Sequence, residues 1–227
     1  MVEVIQNILS EQSLNNIEEY WASDDERVLT DSIQGKKRDI KLVEGDIIKE
    51  LTGSDLDRYE VHSCFFAIAG EPFKVHCDLG KNPITHNLCI NLLQDDQLND
   101  QCIVILKQLT KTHGLFESRA SNRIILVDDD TPESILETYQ KVKYHPVYAS
   151  TLHEHVDKIS QDLKITDEQK KHMSHVWQQT LPYLDIDKVI YHKYNQGILF
   201  DSRHLHCGGS AQGDHKRCVL YVRLKDE

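Results

Sequence analysis

Apolar side chains recur along this chain with two different periods. Over residues 1–22, Val4, Ile5, Ile8 and Leu9, then Leu14, Ile17 and Trp21, fall every three to four positions, which predicts one broken or two short amphipathic helices packed against a sheet. From Arg27 to Leu51 the pattern is weak, with a strand expected at Asp39–Val43 and a short helix near Asp46–Leu51. From Tyr59 onward strand-like runs take over. Tyr59–Ala69, Phe73–Asp78, Asn87–Leu93, Cys102–Leu106 and Arg123–Val127 are separated by Gly, Pro, Asn and Asp and read as antiparallel strands.

The helical period then returns. Thr131-Pro132-Glu133 has an N-cap residue followed by proline at the first helical position, with Ile135, Leu136, Tyr139 and Val142 as the apolar face. Thr151 with Glu154, and Thr166 with Gln169, are capping-box signatures for two antiparallel helices ending at Pro182. Leu152, Val156, Ile159 and Leu163 line the first, and Met173, Val176, Trp177 and Leu181 the second. Strands resume at Lys188–His192, Ile198–His204 and Arg217–Leu224. The pattern predicts a single domain over residues 1–227, mainly β, with N-terminal helices over 1–22 and a helical insertion at about 131–182. Many short antiparallel strands with one helical interruption fit a double-stranded β-helix, the jelly-roll or cupin-like class. A parallel α/β sheet needs a regular strand and helix alternation that is absent.

Charge narrows the partners. Lys and Arg number 26 against 37 Asp and Glu, a formal charge of −11, so duplex nucleic acid is not an expected partner. The longest apolar run, Cys64–Ala69, is far too short to span a bilayer, and Glu3, Gln6 and Asn7 break up any leader-like segment. No membrane association is expected. The six cysteines form no C-x-x-C pair and lie mostly in apolar strands, which predicts free, buried thiols and a cytoplasmic protein.

Chemistry concentrates at Lys74-Val75-His76-Cys77-Asp78. In a strand His76 and Asp78 project to one face, Val75 and Cys77 to the other. Two histidines and one carboxylate on one face of a metal, with open positions opposite, describe a non-haem Fe(II) site. The third ligand comes from His204 or His206; His206 is preferred because Gly208-Gly209 behind it lets the backbone turn at the strand end. Arg217 opens the otherwise apolar run Cys218–Val222, where a guanidinium invites a buried carboxylate, the alternative being an exposed strand end.

H-x-D at His76–Asp78, then G-x-x-F-D-S-R-x-x-H from Gly197 to His206, then Arg217 eleven residues on, resembles the Fe(II)/2-oxoglutarate-dependent dioxygenase superfamily. The resemblance covers the core strands, about Tyr59 to Leu224, without the insertion. It implies that His76, Asp78 and His206 bind Fe(II), that Arg217 binds the 5-carboxylate of 2-oxoglutarate, and that molecular oxygen is the oxidant. Asn91 and Tyr59 or Tyr221 are the candidates for the remaining co-substrate contacts. The retained Asp78 implies hydroxylation rather than halogenation, of a small molecule or an amino-acid side chain, with 2-oxoglutarate decarboxylated to succinate. The insertion, by its position between core strands, is expected to cover the barrel mouth as a lid. Two other readings compete: a structural zinc site from His204, His206, Cys207, His215 and Cys218, and a non-catalytic cupin-like protein that uses the cavity for a ligand.

Overall fold

Alternation along β5 (His86–Asn91) builds the layers of the molecule. In the computed structural model Leu88 and Ile90 join one buried cluster and Cys89 another, because successive side chains of a strand leave on opposite faces. β11 (Gln196–Asp201) repeats this, with Leu199 in the first cluster and Ile198 and Phe200 in the second. The structure describes residues 1–22, 29–32, 35–39, 56, 59–69, 72, 75–77, 84–92, 100–111, 114–119, 123–128, 146–147, 152–176, 178–209 and 217–226.

Two antiparallel sheets make the core. The larger has seven strands in the order β1 (Val2–Gln6), β11, β5, β13 (Arg217–Asp226), β4 (Tyr59–Ala69), β3 (Gly35–Asp39) and β2 (Leu29–Ser32). The smaller has three, β10 (Ile186–Tyr191), β6 (Cys102–Leu109) and β12 (His204–Gly208). Ile103 and Ile105 of β6 meet Cys89, Ile198 and Phe200 of the large sheet, so the two sheets face one another across a thin apolar seam. The chain crosses between them, from β5 to β6, from β10 to β11, and from β12 to β13. This winding is a double-stranded β-helix. A third sheet, β7 (Gly114–Arg119), β8 (Arg123–Asp128) and β9 (Pro146–Val147), lies outside the core order.

The outer face of the large sheet is covered by α1 (Glu11–Ala22), whose Leu14 and Ile17 pack on Leu88, Ile90, Leu199, Val222 and Leu224. At the start of α1 the Ser10 hydroxyl accepts the N–H of Ser13 at 3.2 Å. Asn195, at φ 52°, sits in the turn between β10 and β11, where an asparagine tolerates the left-handed region. Its amide group accepts from Leu9 N at 2.9 Å and donates to Leu9 O at 2.8 Å, tying that turn to the chain leading into α1.

The outer face of the small sheet carries the insertion. Cys102, Val104, Leu106, Leu205 and Cys207 pack on Leu152, Val156, Met173, Val176, Leu181 and Leu184. The Thr166 capping box forms: Thr166 Oγ1 accepts from Gln169 N at 3.1 Å, and Gln169 Oε1 accepts from Thr166 N at 2.8 Å. The buried Gln169 Nε2 then donates to Leu181 O at 2.9 Å and to Leu184 O.

Several expectations change. Residues 2–6 form a strand instead of a helix, because they pair with the edge of β11 from Val2↔Phe200 to Gln6↔Gln196, and tertiary pairing overrides a local helical period in so short a segment. The two insertion helices are short, α2 (Leu152–His155) and α3 (Asp167–His172), because Val156 leaves α2 to bridge Thr110 and residues 181–183 form a 3₁₀ turn. The described part of the insertion, from Leu152 to Leu184, buttresses the back of the small sheet through Leu152, Val156, Met173, Val176, Leu181 and Leu184, while Leu163, expected on the same apolar stripe, is exposed. The run Ile198–His204 is two strands, broken at Ser202-Arg203. β7 and the β2–β3 hairpin were not expected, and the helices expected at 131–142 and 46–51 fall outside the described residues. Among the described residues no helix is long and apolar enough to cross a membrane.

Candidate metal centre

The break after β11 explains much of the G-x-x-F-D-S-R-x-x-H stretch. A Cβ on Gly197 would meet Ile8 Cδ1 at 2.7 Å and Leu88 Cδ1 at 3.1 Å, so glycine here lets the chain leading into α1 pack closely on β11. Asp201 accepts from Arg203 N at 2.9 Å and Nε at 3.0 Å, which closes the turn, while Ser202 Oγ donates to Ile84 O at 2.6 Å. Burial works to raise the Asp201 pKa, but the Arg203 hydrogen bonds outweigh it and hold the carboxyl below its ordinary range. Arg203 is exposed and committed to this pair. Phe200 of β11 and His206 of β12, one from each sheet, meet between the sheets, ring centroids 4.7 Å apart and edge to face.

His76 arrives beside them from a distant part of the chain. Its N–H donates to His206 O at 2.9 Å and its carbonyl accepts from His206 N at 2.9 Å, an antiparallel bridge that sets residues 75–77 along the free edge of β12. Val75 and Cys77 are fully buried in the outer cluster, while His76 faces the other way, its ring 4.2 Å from that of His206. The two imidazoles are thereby held together by backbone, before any metal is considered. His206 Nδ1 lies 3.0 Å from His204 O. A carbonyl only accepts, so Nδ1 carries the proton and the lone pair of the neutral ring sits on Nε2, the tautomer a metal-binding histidine needs. Ile105 lies directly opposite His206 on β6, and with Phe200 it gives the pair an apolar wall.

His204 is placed differently. It is half-buried, its Nδ1–H donates to Leu106 O at 2.9 Å, and a register shift separates it from His206. Burial depresses its pKa, against the opposing pull of the Leu106 carbonyl. His206 is the histidine packed on His76.

Asp78 lies outside the described residues, as do Lys74, Phe73 and His215. Arg217 opens β13 opposite Ala69, two residues before Val219, whose partner on β5 is Asn91. Tyr221 is the partner of Cys89. Asn91 is fully buried, shares the strand face of Cys89, and donates from Nδ2 to Lys193 O at 3.2 Å. Tyr59 belongs elsewhere: it packs in the α1-side cluster and against the His86 ring at 4.9 Å, on the face of the large sheet opposite Asn91, so strand parity separates it from the histidine pair.

The ligands of the zinc reading that the structure describes diverge. Cys207 is buried in the outer cluster while His206 faces inward, so one strand sends them to opposite sides. Among the described residues no group of three histidine, cysteine or acidic side chains converges as a metal site. Cys77, Cys89, Cys102 and Cys207 are free and buried.

Two polar residues escaped the sequence reading. Asn87 is 2% exposed, lies directly opposite Phe200, and its Nδ2 has no hydrogen-bond partner. Gln101, two residues before Ile103, is equally buried with both amide ends unpartnered. The signal for Asn87 was present in the alternation Asn87-Leu88-Cys89-Ile90-Asn91, which puts two amides on one face of an otherwise apolar strand.

No family model matches this sequence, and no curated protein matches it by sequence. Solved structures do. The non-haem alpha ketoglutarate dependent epimerase SnoN from nogalamycin biosynthesis superimposes with a TM-score of 0.50 at 10% identity, over 99% of this chain and 78% of its own. SnoN in complex with Fe3+, alpha ketoglutarate and nogalamycin RO gives a TM-score of 0.50 at 11% identity, with the same shares covered. The likeness extends to the fold.

Proposed function

We propose that this chain is an Fe(II)- and 2-oxoglutarate-dependent oxygenase that hydroxylates a small molecule or an amino-acid side chain. The observation that carries the reading is the His76–His206 bridge, which sets two imidazoles from distant segments 4.2 Å apart; Asp78 of the H-x-D motif would be the third ligand. The donor chemistry fits: two imidazoles, one of them hydrogen-bonded through Nδ1 to a carbonyl, and one carboxylate would hold Fe(II) on one face. The shared fold with an enzyme described as alpha ketoglutarate dependent, and solved with Fe3+, supports it.

Bound iron, 2-oxoglutarate and oxygen would together supply the oxidation, with succinate and carbon dioxide as co-products. The protein's part is geometry. The His204 carbonyl fixes the proton of His206 at Nδ1, and Phe200 and Ile105 keep that side of the centre dry. Arg217 would take the distal carboxylate of the co-substrate through a bidentate guanidinium contact.

Fe(II) and 2-oxoglutarate added to the apoprotein without oxygen should produce the weak visible charge-transfer band of a chelated 2-oxoacid. His76→Ala should abolish it, and Arg217→Ala should require at least tenfold more co-substrate. A wild-type protein that shows no band, yet holds zinc that survives His76→Ala, overturns the reading.

A further inference from the structure

A second polar feature lies beside the histidine pair, and it is cationic. Lys107, Lys158, Lys188 and His204 line an open cleft of about 540 Å³ together with Met1, Val2 and a single carboxylate, Asp187. Three strands relate it to the proposed centre. His204 is two residues before His206 on β12, a Cα separation of about 6–7 Å at strand rise. Lys107 is two residues beyond Ile105, the partner of His206. Val2 is the partner of Phe200, whose ring touches His206.

Three exposed lysines line this open cleft. The chain carries 37 acidic residues and a charge of −11, ample material to neutralise them, yet none of the three lysines forms an ion pair. The Lys158 carbonyl accepts from the buried Gln108 Nε2 at 3.0 Å, and the Lys188 side chain donates from Nζ to Val2 O at 3.2 Å, joining the outer strands of the two sheets. With three lysines against the one lining carboxylate, Asp187, the cleft keeps a net positive charge on an acidic protein, and such a cleft focuses field on an anion.

We propose that this cleft receives an anionic group of the substrate, a carboxylate or a phosphate, and so presents the rest of that molecule to the histidine pair. The inference rests on the oxygenase reading for its chemistry, whereas anion recognition by the cleft can be measured without turnover. The protein loaded with Fe(II) and 2-oxoglutarate under nitrogen is titrated calorimetrically with inorganic phosphate and, separately, with malonate. Wild type should bind one equivalent of at least one of them, and the stronger of the two identifies the anion. Lys107→Ala/Lys158→Ala/Lys188→Ala should weaken binding at least tenfold and leave the charge-transfer band intact. Lys164→Ala/Lys170→Ala/Lys171→Ala, which removes the same charge away from the cleft, should bind as wild type does, and binding should persist in His76→Ala.

Absence of anion binding in wild type, equal weakening by both triple variants, or loss of binding in His76→Ala each overturns the proposal. If the band is present in those cases the oxygenase reading stands. Anion binding that obeys the lysine pattern in a protein without the band leaves the cleft's recognition standing and removes the oxygenase.

Discussion

The same strands build two kinds of interior in this molecule. On the outer faces of the sheets, α1 and the insertion close over clusters of Leu, Ile, Val and Met. Between the sheets the apolar seam is Cys89, Ile103, Ile105, Ile198 and Phe200, and beside it stand His206, Asn87 and Asn91, all buried. Buried polar groups cost free energy when unpaired. These three stand on the inward faces of their strands, apart from the apolar clusters under α1 and the insertion.

Substitutions should divide along that line. Leu88→Ala on the α1 side and Leu106→Ala on the insertion side each remove a fully buried side chain and should cost about 2–5 kcal/mol in denaturant unfolding. Neither should change the iron and 2-oxoglutarate band of the protein that remains folded. A band lost in proportion to stability would erase the distinction between the two interiors.

Asn87→Leu should act with the opposite sign. Replacing a buried amide whose Nδ2 is unpartnered by an apolar group of similar size should stabilise the fold by about 1 kcal/mol or somewhat more. Destabilisation on the scale of the leucine variants would show that this face, too, is packed for the fold.

The smallest effect concerns pH and the insertion. Burial depresses the pKa of His172, with Lys171 adding to the shift and Glu168 and Asp100 opposing it. The ring packs against Cys102 Sγ at 3.7 Å and the edge of Tyr191. The unfolded chain therefore takes up the proton first as pH falls. Stability is level above the ordinary histidine value near 6.5 and is lost as pH drops through it toward the folded value. The urea midpoint of wild type should fall between pH 7.5 and pH 5.5, and that of His172→Gln should fall less; His204, also depressed by burial, retains part of the dependence. Equal slopes would place the acid sensitivity elsewhere.

The strand runs were legible because alternation and punctuation are local: β4 coincides with the expected Tyr59–Ala69, and β5, β6, β8, β10 and β13 lie close to their expected spans. The Thr166 capping box was legible for the same reason, since its two hydrogen bonds span three residues. At the candidate site, the opposite projection of His76 from Val75 and Cys77 followed from strand parity. Tyr59 was misjudged because parity within one strand does not say which face of the sheet meets the other sheet, and here that face belongs to α1.

By itself, then, the sequence determined what depends on neighbours a few residues away: strand periods, caps, and the alternation that sends His76 away from Val75 and Cys77. Tertiary structure decided what depends on partners far along the chain. It made residues 2–6 a strand by offering them the edge of β11, and it placed the insertion behind the small sheet. It also set His206, rather than His204, against His76. The physical reason is that register and layer order come from long-range backbone pairing and the burial it permits, and neither is written in any local run of residues.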